Sequence, residues 1–205
     1  MSKVLVTESY LTDIGNAIRN KNGSATKYKP SEMAEAINGI TTQGATQDNT
    51  VLNSILDRSI SGDYVNNDLT EIGDSAFTNC KNLTSATFTK ATKVCANAFS
   101  STLSLKSISL PEVKTIENQA FTWGALTSIN MPKIEVLGTD NDWWGIFDYC
   151  PITTINIPST IKSIGKNTFE NTNKLTTITI DRKADAISGS PWGATNATVS
   201  WTGSI

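Results

Sequence analysis

The sequence predicts an α/β repeat solenoid with a short-stranded parallel sheet, preceded by a small N-terminal helical hairpin, and three observations point to it. Phenylalanine recurs at a spacing of 22 as Phe77, Phe99 and Phe121 (99 − 77, 121 − 99) and again as Phe147 and Phe169 (169 − 147), with Trp192 one residue late. An aliphatic residue stands five positions before the aromatic, as Ile72, Val94, Ile116, Ile164 and Ile187, whereas Leu137 precedes Phe147 by ten. An apolar triplet spaced L-x-x-I-x-L follows each Phe, as in Leu105/Ile108/Leu110, Leu126/Ile129/Met131 and Leu175/Ile178/Ile180. One such unit cannot bury its own apolar face, so successive units must stack and share a continuous core.

Alternation along each strand turns Ile108 and Leu110 inward and Ser107 and Ser109 outward. The same frame predicts an outward ladder of Thr87, Ser109, Asn130, Asn156, Thr179 and Ser200. Residues 69–205 thus read as about five to six repeats with a C-terminal cap, in which Trp201 covers the open end of the core. The unit Ile72-Gly73-Asp74-Ser75-Ala76-Phe77-Thr78-Asn79-Cys80-Lys81-Asn82-Leu83 resembles the BspA-like leucine-rich repeat, with its I-G-x-x-A-F-x-x-C-x-x-L pattern. The fourth repeat departs from it: Phe147 follows Phe121 by 26 residues (147 − 121), so the stretch Gly138 to Gly145 carries an insertion of four (26 − 22). The resemblance implies adhesion or surface recognition and no catalysis.

Residues 46–68 read as linker and N-terminal cap. The polar run over 41–50 gives way to Val51, Leu52, Ile55, Leu56 and Ile60, a pattern compatible with either helix or strand. Residues 1–45 read as a helical hairpin. Leu11, Ile14 and Ile18 lie at helical spacing before Asn22-Gly23, and Pro30 opens a second helix bearing Met33 and Ile37. A hairpin this short falls below the roughly 40 residues at which a domain holds itself folded, so these five apolar residues are expected to dock on something else.

Composition narrows the chemistry. The chain of 205 residues holds 17 Lys+Arg, 19 Asp+Glu and no His. A balance of −2 provides no basic footprint for nucleic acid. Without His, Ser-His-Asp and Cys-His catalysis and His-bearing zinc sites are excluded. No acidic pair recurs in a way that would make a cleft for glycoside hydrolysis, so no enzyme, cofactor or metal is expected. Ser, Thr and Asn together make up about a third of the chain, well above ordinary usage. No run approaches the roughly 20 apolar residues of a membrane helix, and the opening Met1-Ser2-Lys3-Val4-Leu5 carries no signal-peptide pattern.

The candidate binding residues are aromatic and amide. Trp123 and Tyr149 both sit two residues after the repeat Phe, in adjacent repeats, where Asn79, Ser101 and Asn171 stand elsewhere. With Trp143 and Trp144 of the insertion they form either an aromatic patch that stacks on sugars or anchors a protein, or a cover folded back on the flank. Asn130 and Asn156 add amides from the ladder. Asp140 and Asp142 lack the further ligands of a calcium loop and read as a solvated turn. Cys80 and Cys150 share a turn position at least about 14 Å apart, beyond disulfide reach, and Cys95 lies outside that frame, so all three are expected to be free thiols.

The stretch from Leu11 to Ile37 is similar to the opening segment of tail-associated virion proteins of phages of Gram-positive hosts. Together with the absent export signal, this resemblance implies a phage virion structural protein of the tail or baseplate, assembled in the host cytoplasm. It would dock to other virion proteins through residues 1–45 and bind a host-surface glycan or protein through the solenoid, with a homo-oligomer compatible with that setting. The alternatives are an architectural head-fibre or decoration protein and a bacterial cell-surface adhesin.

Overall fold

Each repeat crosses the core twice, once as a strand of a front sheet and once as a two-residue strand of a back sheet. The structure, a computed structural model, describes residues 49–140 and 144–203. The expected hairpin with Leu11, Ile14, Ile18, Met33 and Ile37, and the insertion residues 141–143, lie outside the described residues. Residues 54–205 form one compact unit.

In chain order, helix α1 (Asn49–Leu56) leads into β1 (Ser61–Asn66), β2 (Glu71–Ile72), β3 (Asn82–Phe88), β4 (Lys93–Val94), β5 (Ser107–Ser109) and β6 (Thr115–Ile116). Then follow β7 (Ser128–Asn130), β8 (Val136–Leu137), β9 (Thr154–Ile157), β10 (Ser163–Ile164), β11 (Thr177–Ile180) and β12 (Thr198–Trp201). All pairings are parallel. The back sheet runs unbroken as β10-β8-β6-β4-β2, whereas the front falls into two sheets, β1-β3-β5-β7 and β12-β11-β9.

This architecture corrects the α/β expectation. Among the described residues the only helix is α1, and the segments joining front and back strands are turns. The physical reason is space: two strands and two tight turns consume a repeat of 22 residues, leaving no run long enough for an amphipathic helix. The segment left open between helix and strand is helical to Leu56. It then reverses at Arg58, whose φ is 66°, and delivers buried Ile60 to the core.

The core is a column. Phe77, Phe99, Phe121, Phe147 and Phe169 are buried and stacked at centroid separations of 5.0, 5.4, 5.7 and 5.8 Å, with interplanar angles of 7° or less. Offset stacking of this kind adds to the burial of large apolar surface. Tyr64 closes the column at the N-terminal end, 5.4 Å from Phe77 and 5.6 Å from Phe88. At the other end the fully buried Trp192 meets Trp201 edge-on at 6.2 Å, and Trp201 packs partly buried against the core.

The turns around each Phe are tied by backbone bonds from one repeat to the next: the amides of Phe77, Phe99 and Phe121 donate to the carbonyls of Ala98, Ala120 and Ile146 at 2.7, 2.7 and 3.0 Å. The first repeat has no such donor before it. Arg58 supplies one, its guanidinium Nη1 donating to the Ala76 carbonyl at 2.7 Å, so the N-terminal cap satisfies a carbonyl that the repeat pattern leaves open.

Candidate functional site

The ion pairs and most of the neutral polarity occupy different faces. The back sheet and its flanks carry inter-repeat ion pairs, with Lys93 bridging Glu71 (3.6 Å) and Glu117 (2.7 Å), and Glu135 taking Lys114 (3.7 Å) and Lys162 (2.5 Å). Exposed pairs of this kind contribute little each. On the front sheet, pairing places Ser85, Ser107 and Ser128 in one register row and Thr154, Thr177 and Thr198 in its continuation. Thr87, Ser109 and Asn130, then Asn156, Thr179 and Ser200, form the second row. From β3 onward both rows consist of hydroxyls and amides; β1 heads them with Asp63, which accepts the Thr84 and Ser85 hydroxyls, and with exposed Val65. Asn130 and Asn156 are exposed, and the Asn130 amide reaches the Ser109 hydroxyl at 3.4 Å.

The turn edge beside the front sheet holds the aromatic residues. The position two after the repeat Phe is left-handed in all five repeats that carry one, with φ of 61° at Asn79, 59° at Ser101, 59° at Trp123, 61° at Tyr149 and 53° at Asn171. Inter-repeat bonds hold it there: the amides of Asn79, Ser101 and Trp123 donate to Ser100, Thr122 and Asp148 carbonyls at 2.9, 2.8 and 2.8 Å. Asn and Gly tolerate this backbone region. A bulky side chain does not, and the left-handed conformation costs it on the order of 1–2 kcal/mol. Repeats three and four nevertheless place Trp and Tyr there.

Their rings stack on each other with centroids 3.9 Å apart and planes 17° apart. They remain 49% and 43% exposed, so they do not serve as core. Trp144 is 42% exposed and makes no ring contact with the pair, and Trp143 lies outside the described residues. The structure thus brings Trp123 and Tyr149 together, sets Trp144 apart from them, and puts Asn130 and Asn156 on the strand face.

Three features of this edge went unread in the sequence. From the repeat Phe to the first apolar strand residue there are six positions in repeats one, two and five (83 − 77, 105 − 99, 175 − 169) but five in repeats three and four (126 − 121, 152 − 147). The two repeats bearing the aromatics therefore share a shortened turn, and this was visible in the spacing. Leu103, two residues past the left-handed position of repeat two, is 55% exposed. Asp148, between Phe147 and Tyr149, is fully buried. Loss of solvent pushes its carboxyl up to about 6, against the opposing effect of hydrogen bonds from the Asn171 side chain and the Gly145 amide. The only signal for it was a charged residue at a turn position filled by Thr78, Ser100 and Thr122 in the first three repeats.

Other groups with chemical potential are already engaged. All three cysteines are free and buried. Burial pushes the thiols of Cys95 and Cys150 up to about 12, which keeps them protonated and unreactive near neutrality. Cys95 lies with Asp74 and Glu117, their ligand atoms within 4.8 Å of one another, but its thiol donates to Glu71 at 2.8 Å and Glu117 pairs with Lys93. Asp140 accepts the Lys166 amide at 2.8 Å, a structural use of the carboxylate beside the insertion.

A direct test separates a structural from a functional role for the ring pair. Replacing both rings with the residue that repeats one and five use, Trp123→Asn with Tyr149→Asn, removes a stacking interaction of about 0.5–1.5 kcal/mol but relieves two strained positions. The double variant is expected to melt at or above the wild-type temperature in calorimetry. A loss of more than ~2 kcal/mol would mean that the pair serves folding.

Comparison with known proteins agrees with this geometry. The described solenoid aligns with the structure of a leucine-rich repeat protein from T. pallidum at 21% identity and a TM-score of 0.55, over 65% of this chain and 63% of that one. The chain thus spans a little under two thirds of that protein's length. A leucine-rich repeat protein from Bacteroides ovatus (21% identity, TM-score 0.44, 55% of this chain and 35% of that one) and a leucine-rich cell surface protein from Faecalibacterium prausnitzii (21%, 0.30, 60% and 48%) are also similar. No curated protein matches. The family model described as the BspA type leucine rich repeat region matches in six copies over residues 58–141 and 144–197, leaving residues 11–37 unmatched. Repeats of this kind are usually non-catalytic modules suited to protein or surface recognition. With most of its length accounted for by them, the chain belongs to the BspA type leucine-rich repeat family.

Proposed function

We propose that the chain is a non-catalytic recognition module of a bacterial cell surface, binding a macromolecule displayed on another cell through the turn edge that carries Trp123 and Tyr149. The observation that carries this reading is the exposed, stacked ring pair in a left-handed backbone conformation. Stacking returns about 0.5–1.5 kcal/mol against a left-handed cost on the order of 1–2 kcal/mol at each of the two positions, so folding gains no net stability from these rings and their presence calls for a role outside folding. From β3 onward the front rows extend the contact area with hydroxyls and amides, and stacked rings supply the energy that concentrates in a few aromatic residues at interfaces.

The adhesion that the family resemblance implies supports a cell surface over a phage particle. The virion reading rests on residues 11–37, which lie outside the described residues, and nothing in the comparisons points to a tail or baseplate. The test is binding of the labelled chain to a panel of whole bacterial and animal cells, alongside the Trp123→Asn/Tyr149→Asn variant. Cells bound by the wild type are expected to bind the variant at least tenfold more weakly, which corresponds to about 1.4 kcal/mol or more from two interface aromatics. Equal binding would sink the assignment of recognition to this edge.

A further inference from the structure

Within that reading, which this inference rests on, the turn edge of repeats two to four has the chemistry of a site for one class of ligand. We infer that the Trp123–Tyr149 pair and the uncharged turns beside it bind a neutral polysaccharide, its pyranose rings stacking on the outer faces of the ring pair. Three observations converge on a sugar chain.

The first is flatness. Each ring gives one face to the other at 3.9 Å. Repeat order then leaves the second face of Trp123 toward repeat two, where Ser101 holds the matching position, and the second face of Tyr149 toward repeat five, where Asn171 holds it. The Trp123 end of the stack is thus a flat apolar face beside a short hydroxyl side chain, and at the Tyr149 end the face adjoins Asn171, whose amide is turned to Asp148. A pyranose presents the same combination, an apolar C–H face rimmed by hydroxyls. A separate, half-open pocket lies away from this edge, lined by Gly138, Asp140, Lys162, Gly165 and Ile187.

The second is neutrality. The turns over residues 99–105, 121–126 and 147–152 contain one charged side chain, Asp148, and it is fully buried. Surface charge begins only outside these turns, with Lys106 just before β5 and Glu170 and Lys174 in the fifth turn, so an uncharged glycan on the ring pair leaves no buried charge unpaired.

The third is the shared departure of two neighbouring repeats. Repeats three and four combine a shortened turn with an aromatic at the left-handed position, and so lack the polar side chain that Asn82, Ser104 and Lys174 supply elsewhere.

The test is affinity electrophoresis of the full chain through gels carrying neutral β-glucan, β-mannan or β-xylan, with polygalacturonate as the charged probe, repeated with Trp123→Asn/Tyr149→Asn. Retardation by at least one neutral polymer is expected, with a rise of about tenfold or more in Kd for the double variant. Retention by polygalacturonate alone, or neutral retention that the variant keeps, would overturn the inference. If no polysaccharide retards the chain while whole-cell binding is still lost in the variant, the ligand is a protein and only the glycan assignment falls. If the variant binds cells as well as the wild type does, recognition at this edge falls with it.

Discussion

Phe121→Ala is expected to lower unfolding stability by about 3–5 kcal/mol, the range for deleting a buried aromatic when the surroundings relax only partly. Phe121 is buried at the middle of the column, stacked on Phe99 at 5.4 Å and on Phe147 at 5.7 Å, so the cavity has a rigid ring on each side. Collapse is opposed from above and below, because the inter-repeat amide bonds of Phe99 and Phe121 fix the spacing of the turns that carry these rings. Phe121→Leu keeps most of the volume and is expected to lose only about 1–1.5 kcal/mol. Chemical denaturation of the two variants side by side checks the claim. A loss below ~1.5 kcal/mol for the alanine variant would mean that the column closes up and that stacking does not set its spacing.

Asp148→Asn is expected to act in the opposite direction. The Asp148 carboxyl is fully buried, and its Oδ1 accepts the Gly145 amide at 3.1 Å. Desolvation raises its pKa most, and the nearby Glu170 charge adds to the rise, carrying it from 3.8 to about 6. Between these values the folded chain holds a proton that the unfolded chain has released. Stability contributed by this group is therefore fully present below about pH 4 and falls as pH rises through 6. By pH 7 the ionised carboxylate costs roughly 3 kcal/mol relative to its protonated form. The variant is thus expected to exceed the wild type by up to that amount at pH 7 and to match it near pH 4. Urea denaturation at pH 4, 5, 6 and 7 measures the difference, in which titrations common to both proteins cancel. A variant less stable than the wild type at pH 7 would show that the charge itself is held favourably.

The parts of the fold that repeat were open to a reading of the sequence, because a shared core demands the same side chain at the same place in each unit. Phe77 to Phe169 and the Leu83, Leu105, Leu126, Ile152 and Leu175 positions are buried as the spacing required. Helical content lies beyond that reach, because apolar periodicity sets which residues face inward but not the path of the chain between front and back strands. Only the backbone bonds between repeats determine that path. The same limit applies at the candidate site. Periodicity placed Trp123 beside Tyr149, yet their left-handed backbone arises from bonds to neighbouring turns and could not be seen in either residue. Burial of Asp148 likewise depends on how the fourth turn closes beneath Tyr149. The shortened turns of repeats three and four stood in the spacing all along and needed only the comparison of five positions with six.

The break in the front sheet has a mechanical meaning. No backbone hydrogen bond joins β7 to β9, so on that side the solenoid is two ladders set end to end, while the back sheet passes the joint without interruption. Bending across the joint is resisted by the back sheet and the phenylalanine column on one side, and on the other by the Trp123–Tyr149 contact, since Trp123 leads into β7 and Tyr149 into β9. The ring pair spans the one rung where the ladder is unlinked. A ligand laid across both rings would brace that joint, so that gripping a target and stiffening the molecule that grips it become a single event.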